Sequence, residues 1–153
     1  MTPIEKEKLI NLLPHKGRMF LLDRAVDVDY EGYSIKTQVD VTENSMFYDK
    51  ALGGVPSYVI FEYMAQSISA FSGIANSRKG LPPKVGVILS IAGFTTTIPV
   101  LKAGTTITVM VCQKDIVDRV FSFDCTAYIG DALVATGKLT VMEVDDLREL
   151  GIR

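Results

Sequence analysis

One segment of the chain, Ser57–Ser77, constrains the fold more than any other because it is long and almost uncharged. Glu62 is its only charged residue, and many of the others are small. Two glycines and a proline lie just before it and Gly80 follows it, which is typical of the start and the end of a helix. A helix that is apolar on every side is buried, and small residues let other backbones approach it closely. The segment therefore predicts one long helix at the centre of the molecule.

Most of the remaining chain alternates apolar and polar residues, as strands with one buried face do. In Tyr33–Val41 the apolar residues fall mainly on odd positions, and Phe121–Ile129 repeats the pattern. Gly130-Asp131 then predicts a tight hairpin turn. The predicted elements are a short helix over Ile4–Leu13 and strands over Met19–Tyr30, Tyr33–Val41, Lys84–Ile98, Thr105–Lys114, Arg119–Ile129 and Ala132–Glu143.

An antiparallel sheet with one apolar face must cover that face, and the only long apolar cover in this chain is Ser57–Ser77. We therefore expect an α+β fold in which a curved antiparallel sheet wraps around one long central helix. The sheet should have five to seven strands, and the chain should form a single domain over residues 1–153.

The charge balance and the apolar runs argue against several classes of protein. Sixteen Lys and Arg residues against 18 Asp and Glu residues give a net charge of −2, which offers no electrostatic basis for binding nucleic acid or an anionic membrane. The longest uncharged runs have 17 and 15 residues, fewer than the roughly 20 that a spanning helix needs. The amino terminus has no apolar core of a signal peptide, and two cysteines with one histidine argue against a His/Cys zinc site. We expect a cytoplasmic protein.

Two motifs resemble a known family. The run Leu13–Arg24 reads LPHKGRMFLLDR, which resembles the "LPHR…LLDR" signature of the FabZ-type 3-hydroxyacyl-[acyl carrier protein] dehydratases. The run Val59–Gln66 reads VIFEYMAQ, which is similar to their central-helix "LxEAMAQ" signature. The form EYMAQ, with PSYV before it, is closest to the ApeP-type branch found with aryl polyene pigment biosynthesis. The resemblance implies the hotdog fold, a curved sheet around a central helix.

The chain departs from the FabZ pattern at one important place. FabZ-type enzymes carry a catalytic histidine in a "GHFPG" loop before the central helix, whereas Asn44–Gly54 is shorter here and contains no histidine. The ApeP-type branch also lacks this loop and keeps the histidine of the "PH" pair, which corresponds to His15. The acid on the family's central helix corresponds to Glu62.

Dehydration of a 3-hydroxyacyl thioester requires a base near C2, an acid near the hydroxyl, and donors for the thioester oxygen. Glu62 is the candidate acid, since a lone carboxyl in an apolar helix should be poorly hydrated. His15 is the candidate base, because it is the only histidine. Gln66, one helical turn after Glu62, is the candidate group that orients Glu62 or a water. The backbone N–H groups of Ser57 and Tyr58 are candidates for binding the thioester oxygen.

Each of these residues also has a purely structural interpretation. Glu62 could pair with a buried base such as Arg24, and His15 could bind backbone groups in a loop. Gln66 could be an ordinary buried polar residue, and the helix start at Ser57 and Tyr58 could be ordinary capping. The apolar run Val85–Ile91 with Phe94 could line an acyl tunnel or simply form core.

The resemblance implies acyl carrier protein as the partner that presents the acyl-phosphopantetheine substrate, so that no dissociable cofactor is needed. It also implies a homodimer or higher homo-oligomer, or pairing with a second hotdog subunit. The basic residues near the recognised elements could meet the acidic carrier; these are Lys16, Arg18, Arg78, Lys79 and Lys84. Two alternatives to the dehydratase stay open: an acyl thioesterase, and a catalytically silent subunit that pairs with an active dehydratase.

Overall fold

The computed structural model describes residues 1–144, 148 and 151, and the described chain contains nine strands and two α-helices. The domain span predicted from the sequence, 1–153, includes a few carboxy-terminal residues that lie outside the described residues. Short 3-10 turns cover Ile10–Leu12, Gly17–Met19 and Ser57–Val59. The helices are α1 (Lys6–Leu9) and α2 (Ile60–Arg78). The strands are β1 (Ile4–Glu5), β2 (Arg24–Asp29), β3 (Ser34–Asp40), β4 (Gly54–Pro56), β5 (Val85–Thr96), β6 (Val100–Lys102), β7 (Thr106–Val117), β8 (Val120–Ile129) and β9 (Ala132–Val144).

Seven of the strands form one antiparallel sheet in the order β1-β2-β3-β7-β8-β9-β5. The period of two predicted for Tyr33–Val41 is confirmed within β3, because Ile35 and Val39 are buried on the concave face, opposite Val111 and Ile107 of β7. Tyr33 lies just before the strand and is 52% exposed. The turn at Gly130-Asp131 is also confirmed, since β8 ends at Ile129 and Gly130 has φ +58°. The sheet therefore has the predicted strand number and the predicted antiparallel arrangement.

The central helix α2 fills the concave face of this sheet, as its composition predicted. Ten of its residues are buried, and the hydroxyls of Ser67 and Thr37 meet at 2.7 Å between α2 and β3. A Cβ atom added at Gly73 would lie 1.8 Å from the carbonyl oxygen of Leu12, so only glycine permits the amino-terminal segment to cross the helix there. The helix ends at Arg78, and Gly80 just beyond it, with φ +71° and a backbone N–H that donates to the Ser77 carbonyl, turns the chain away.

Two predicted elements differ from the structure, and one small sheet was not predicted. The predicted strand over Met19–Tyr30 begins only at Arg24, because Gly17–Met19 forms a 3-10 turn that packs against α2. The predicted helix over Ile4–Leu13 is divided into β1, α1 and a 3-10 turn. The two-stranded sheet of β4 and β6 was not predicted, since strands of three residues show no periodicity.

No helix in the described part of the chain is long and apolar enough to cross a membrane.

Candidate active site

Glu62 lies in the first turn of α2, where its side chain is half-buried. The alternative that it pairs with Arg24 is not seen, because the Arg24 guanidinium binds the carboxylates of Asp40 and Glu5 on the sheet. Among the described residues, no ion pair shorter than 4.0 Å involves Glu62. Its carboxyl is therefore not used for a salt bridge within this part of the protein.

Gln66 is fully buried one turn later, and both ends of its side chain are hydrogen-bonded. Its Oε1 atom accepts from the backbone N–H of Leu21 at 2.8 Å, while its Nε2 atom donates to the Met19 carbonyl at 2.7 Å. The same nitrogen donates to Oε1 of Glu62 at 3.3 Å. Gln66 thus joins the amino-terminal segment to α2 and contacts the Glu62 carboxyl at the same time.

His15 lies between two 3-10 turns of the amino-terminal segment and is half-buried. Burial lowers the pKa of this imidazole below 6.5, and the charge of Glu62 partly opposes that shift. The two side chains are therefore close enough to interact electrostatically. Nδ1 of His15 is buried and has no hydrogen-bond partner among the described residues, so the alternative in which the ring binds backbone groups finds no support at that nitrogen.

A cavity of about 240 Å³ opens beside the Glu62 carboxyl. Among the described residues that line it, Glu62 is the only charged one. The apolar and aromatic remainder of the wall comes from the start of α2, the amino-terminal segment and the loop before β4; it consists of Met19, Leu21, Met46, Phe47, Tyr58, Val59 and Phe61. Sequence reasoning missed the part played by Met46 and Phe47, which are adjacent large apolar residues in a loop and are partly exposed. An exposed apolar patch of this kind is the signal that could have found them.

The two backbone N–H groups predicted to bind the thioester oxygen, those of Ser57 and Tyr58, differ in their hydrogen bonding. The backbone N–H of Ser57 donates to the Pro99 carbonyl at 3.0 Å, and its hydroxyl donates to Thr96 at 3.2 Å. Ser57 is therefore engaged in joining the helix start to the chain between β5 and β6. Tyr58 lies in the cavity wall with its ring largely exposed, and its N–H belongs to the first turn, where backbone donors lack partners within the helix.

The other residues named from the sequence are spread over the molecule. Phe94 packs edge-on against Phe61 of the cavity wall, with ring centroids 6.3 Å apart. Leu89 and Ile91 are instead exposed on the edge strand β5. Of the basic residues, Lys16 and Arg18 lie in the amino-terminal segment near His15, whereas Arg78, Lys79 and Lys84 lie at the opposite end of α2.

Comparison with known proteins gives consistent results. Residues 7–151 match the ApeP-like family model, described as ApeP dehydratase. The 3-hydroxyacyl-[acyl-carrier-protein] dehydratase FabZ of Wolbachia sp. subsp. Brugia malayi is 29% identical over 143 residues, which are 88% of this chain and 92% of that protein. The FabZ of Protochlamydia amoebophila is 29% identical over 91 residues, so the matched part spans only 56% of that protein's length and 58% of this chain.

Among solved structures, the dehydratase heterocomplex ApeI:P from Xenorhabdus doucetiae superposes with a TM-score of 0.86 at 21% identity, covering 95% of this chain and 97% of that one. A mutant of the fluoroacetyl-CoA-specific thioesterase FlK superposes with a TM-score of 0.61 at 16% identity, covering 82% of this chain and 94% of that one. These likenesses show a shared fold, and the hotdog prediction is confirmed. Because the family model spans residues 7–151, the chain belongs to the ApeP-like family of dehydratases.

Proposed function

We propose that this chain removes water from a 3-hydroxyacyl thioester carried on acyl carrier protein, in the cytoplasm, and releases a trans-2-enoyl thioester. The observation that carries the proposal is the position of Glu62, the one charged residue among the described residues that line the apolar cavity. His15 does not line this cavity, but the charge of Glu62 acts on its imidazole, which makes it the candidate second proton-transfer group. An acyl chain requires such apolar walls, and the reaction requires two proton-transfer groups at their edge. Fatty-acid-like or aryl polyene biosynthesis is the proposed context.

His15 is assigned as the base. Its lowered pKa keeps the imidazole neutral near pH 7, which leaves it able to accept the proton from C2. The electron pair of the C2–H bond forms the C2–C3 double bond while the C3–O bond breaks. Glu62 is assigned as the acid: it gives a proton to the departing hydroxyl, which leaves as water.

Gln66 is assigned as a positioning residue. Its amide is already hydrogen-bonded to Met19, Leu21 and Glu62, so it holds the acid and the amino-terminal segment in place. The backbone N–H of Tyr58 is assigned to the thioester oxygen, because a donor at a helix start stabilises the negative charge that develops there. Ser57 supports this turn through its bonds to Pro99 and Thr96.

The test is an assay of the purified chain with a 3-hydroxyacyl-carrier thioester, measuring enoyl product and free thiol in parallel. Glu62→Gln should lower the dehydration rate by about 10²–10⁴-fold, the usual worth of general acid–base catalysis. Glu43→Gln, at an exposed loop position, is the matched control and should leave the rate unchanged. Thiol release without enoyl product would identify a thioesterase instead.

We also propose that β5 pairs with another hotdog subunit. It is an edge strand of the sheet, and Leu89 and Ile91 on it are 50% and 41% exposed. A second copy of this chain would give a homodimer, and a different hotdog chain would give a heterocomplex like the one in the ApeI:P structure. Native mass spectrometry measures the assembly directly. The silent-subunit alternative holds under two conditions. This chain alone must be inactive, and its complex with a second hotdog subunit must keep full activity when this chain carries Glu62→Gln.

A further inference from the structure

A second and larger cavity, of about 620 Å³, lies between the carboxy-terminal half of α2 and the sheet. The described residues that line it do not include any that line the cavity beside Glu62. Glu62 and Arg78 are separated by sixteen positions of one helix, which corresponds to roughly 24 Å along its axis. The volume falls in the range of about 300–1,000 Å³ that small-molecule sites occupy. This cavity is therefore separate from the proposed dehydration site.

Both walls of the larger cavity carry apolar side chains, while Ser69, Ser72, Asn76 and Gln113 are among its polar members. The helix contributes Ile68, Phe71 and Ala75. The facing wall belongs to the sheet, and its apolar members include Phe121, Phe123 and Val141. An apolar ligand placed between these walls would be removed from water on both sides, which is the main source of affinity for such a ligand.

The cavity mouth is positively charged. Arg78, Lys79 and Lys84 line it, and Glu143 is the only acidic residue among the described lining residues, so the local balance is +2. The Glu143 carboxylate accepts a hydrogen bond from Ser72 at 3.3 Å. Within the described part of the chain, none of the three cations lies within 4.0 Å of a carboxylate. The mouth is thus complementary to an anion.

Arg78 is also held in place rather than free in solvent. Its guanidinium lies over the ring of Tyr30, with Cζ 3.8 Å from the ring centroid. Such stacking leaves the edge of the guanidinium, with its N–H donors, available to an oxygen anion. Cations at a helix carboxy terminus also complement the helix dipole, but that role requires no apolar cavity beneath them.

We propose that this cavity binds a long-chain fatty acid. The hydrocarbon chain lies between α2 and the sheet, and the carboxylate lies at Arg78, Lys79 and Lys84. The inference goes beyond the proposed dehydration, because no residue assigned to that reaction takes part and the ligand carries no thioester.

The test is calorimetric titration of the full chain with hexadecanoate, hexadecan-1-ol and hexadecyltrimethylammonium below their micelle concentrations. Hexadecanoate should bind with 1:1 stoichiometry, more tightly than the alcohol and far more tightly than the cation. The Arg78→Gln/Lys84→Gln double variant should weaken hexadecanoate binding by about 3–20-fold, since each exposed ion pair contributes up to about fivefold. The Lys50→Gln/Lys102→Gln double variant removes two exposed charges elsewhere and should change nothing.

A cavity-filling variant tests the location of the chain. Ala75→Phe should abolish binding, with Ala75→Leu as a milder second variant and circular dichroism as the check on folding. Glu62→Gln should bind hexadecanoate as the unsubstituted chain does. The proposal is overturned if hexadecanoate does not bind, if the cationic amphiphile binds equally well, if both Ala75 variants bind normally, or if Glu62→Gln loses binding. A different outcome would assign these cations to acyl carrier protein instead. In that case the unsubstituted chain would not bind fatty acid, and the Arg78→Gln/Lys84→Gln variant would bind the carrier more weakly.

Discussion

The side-chain amide of Gln66 donates to the backbone carbonyl of Met19 at 2.7 Å, although the two residues are 47 positions apart in the chain. This bond, with the one that Gln66 accepts from Leu21, fixes the segment that follows His15 onto the turn of the helix that carries Glu62. The two halves of the proposed acid–base pair therefore depend on one buried amide for their relative position.

Replacing Gln66 by methionine should destabilise the protein by about 2–4 kcal/mol, because the partly buried Met19 carbonyl and Leu21 N–H would lose their partner. Dehydration should fall mainly in kcat, since the carboxyl of Glu62 loses its orienting bond. Urea unfolding and steady-state kinetics measure the two effects. The control, Gln113→Met, changes a half-buried glutamine of β7 and should cost less than about 0.5 kcal/mol. Equal effects of the two substitutions would contradict the positioning role.

The pH dependence of dehydration should follow His15. Its pKa is lowered below 6.5 by burial, so kcat/KM should rise with pH through an acidic limb that lies below pH 6.5. Because the Glu62 carboxylate raises the pKa of His15 against that shift, Glu62→Gln should move it further down. The chain has one histidine, so a single imidazole resonance reports the titration by NMR. A titration at or above 6.5 in the folded protein would rule out this account.

The ion pair of Arg24 with Asp40 should stabilise the sheet only above acidic pH. The hydrogen bond from Arg24 lowers the pKa of Asp40 below 3.8. The stability that this ion pair contributes is therefore present above the unfolded pKa of Asp40, and it is lost as the pH falls through the lower pKa that Asp40 has in the folded protein. Both groups are partly exposed, which limits the contribution to about 1 kcal/mol or less. Asp40→Asn should remove this part of the acid sensitivity in urea titrations between pH 2 and about 5. An unchanged pH profile of stability in Asp40→Asn would contradict this role of the ion pair.

Gly73→Ala tests the crossing of the amino-terminal segment over α2. Its new methyl group would meet the Leu12 carbonyl oxygen at 1.8 Å, so that segment must shift and His15 with it. We expect destabilisation of about 3 kcal/mol, at the upper end of overpacking costs, and a loss of dehydration. Gly137→Ala is the control, because its methyl group would meet the Phe94 ring at 3.3 Å, and a side chain gives way more easily than backbone. Differential scanning calorimetry of both variants gives the comparison.

The central helix, the antiparallel sheet and the family could all be predicted from runs of neighbouring residues. The near absence of charge in Ser57–Ser77 requires burial, and the alternation in Tyr33–Val41 requires one covered face, so both follow from the residues of one segment. The motifs around His15 and Glu62 indicated the ApeP-like dehydratases for the same reason, because each lies within a short run of the chain.

Contacts between distant parts of the chain could not be predicted from runs of neighbouring residues, and only the folded structure shows them. Several contacts of the candidate site join residues that are tens of positions apart. They are the hydrogen bonds of Gln66 with Met19 and Leu21, the bond from the Ser57 N–H to the Pro99 carbonyl, and the close packing of Leu12 on Gly73. Periodicity tells which face of an element is buried but not which distant backbone lies against it. The wall formed by Met46 and Phe47, and the charged mouth of the larger cavity, arise in the same way, because they are assembled from elements whose packing no single segment encodes.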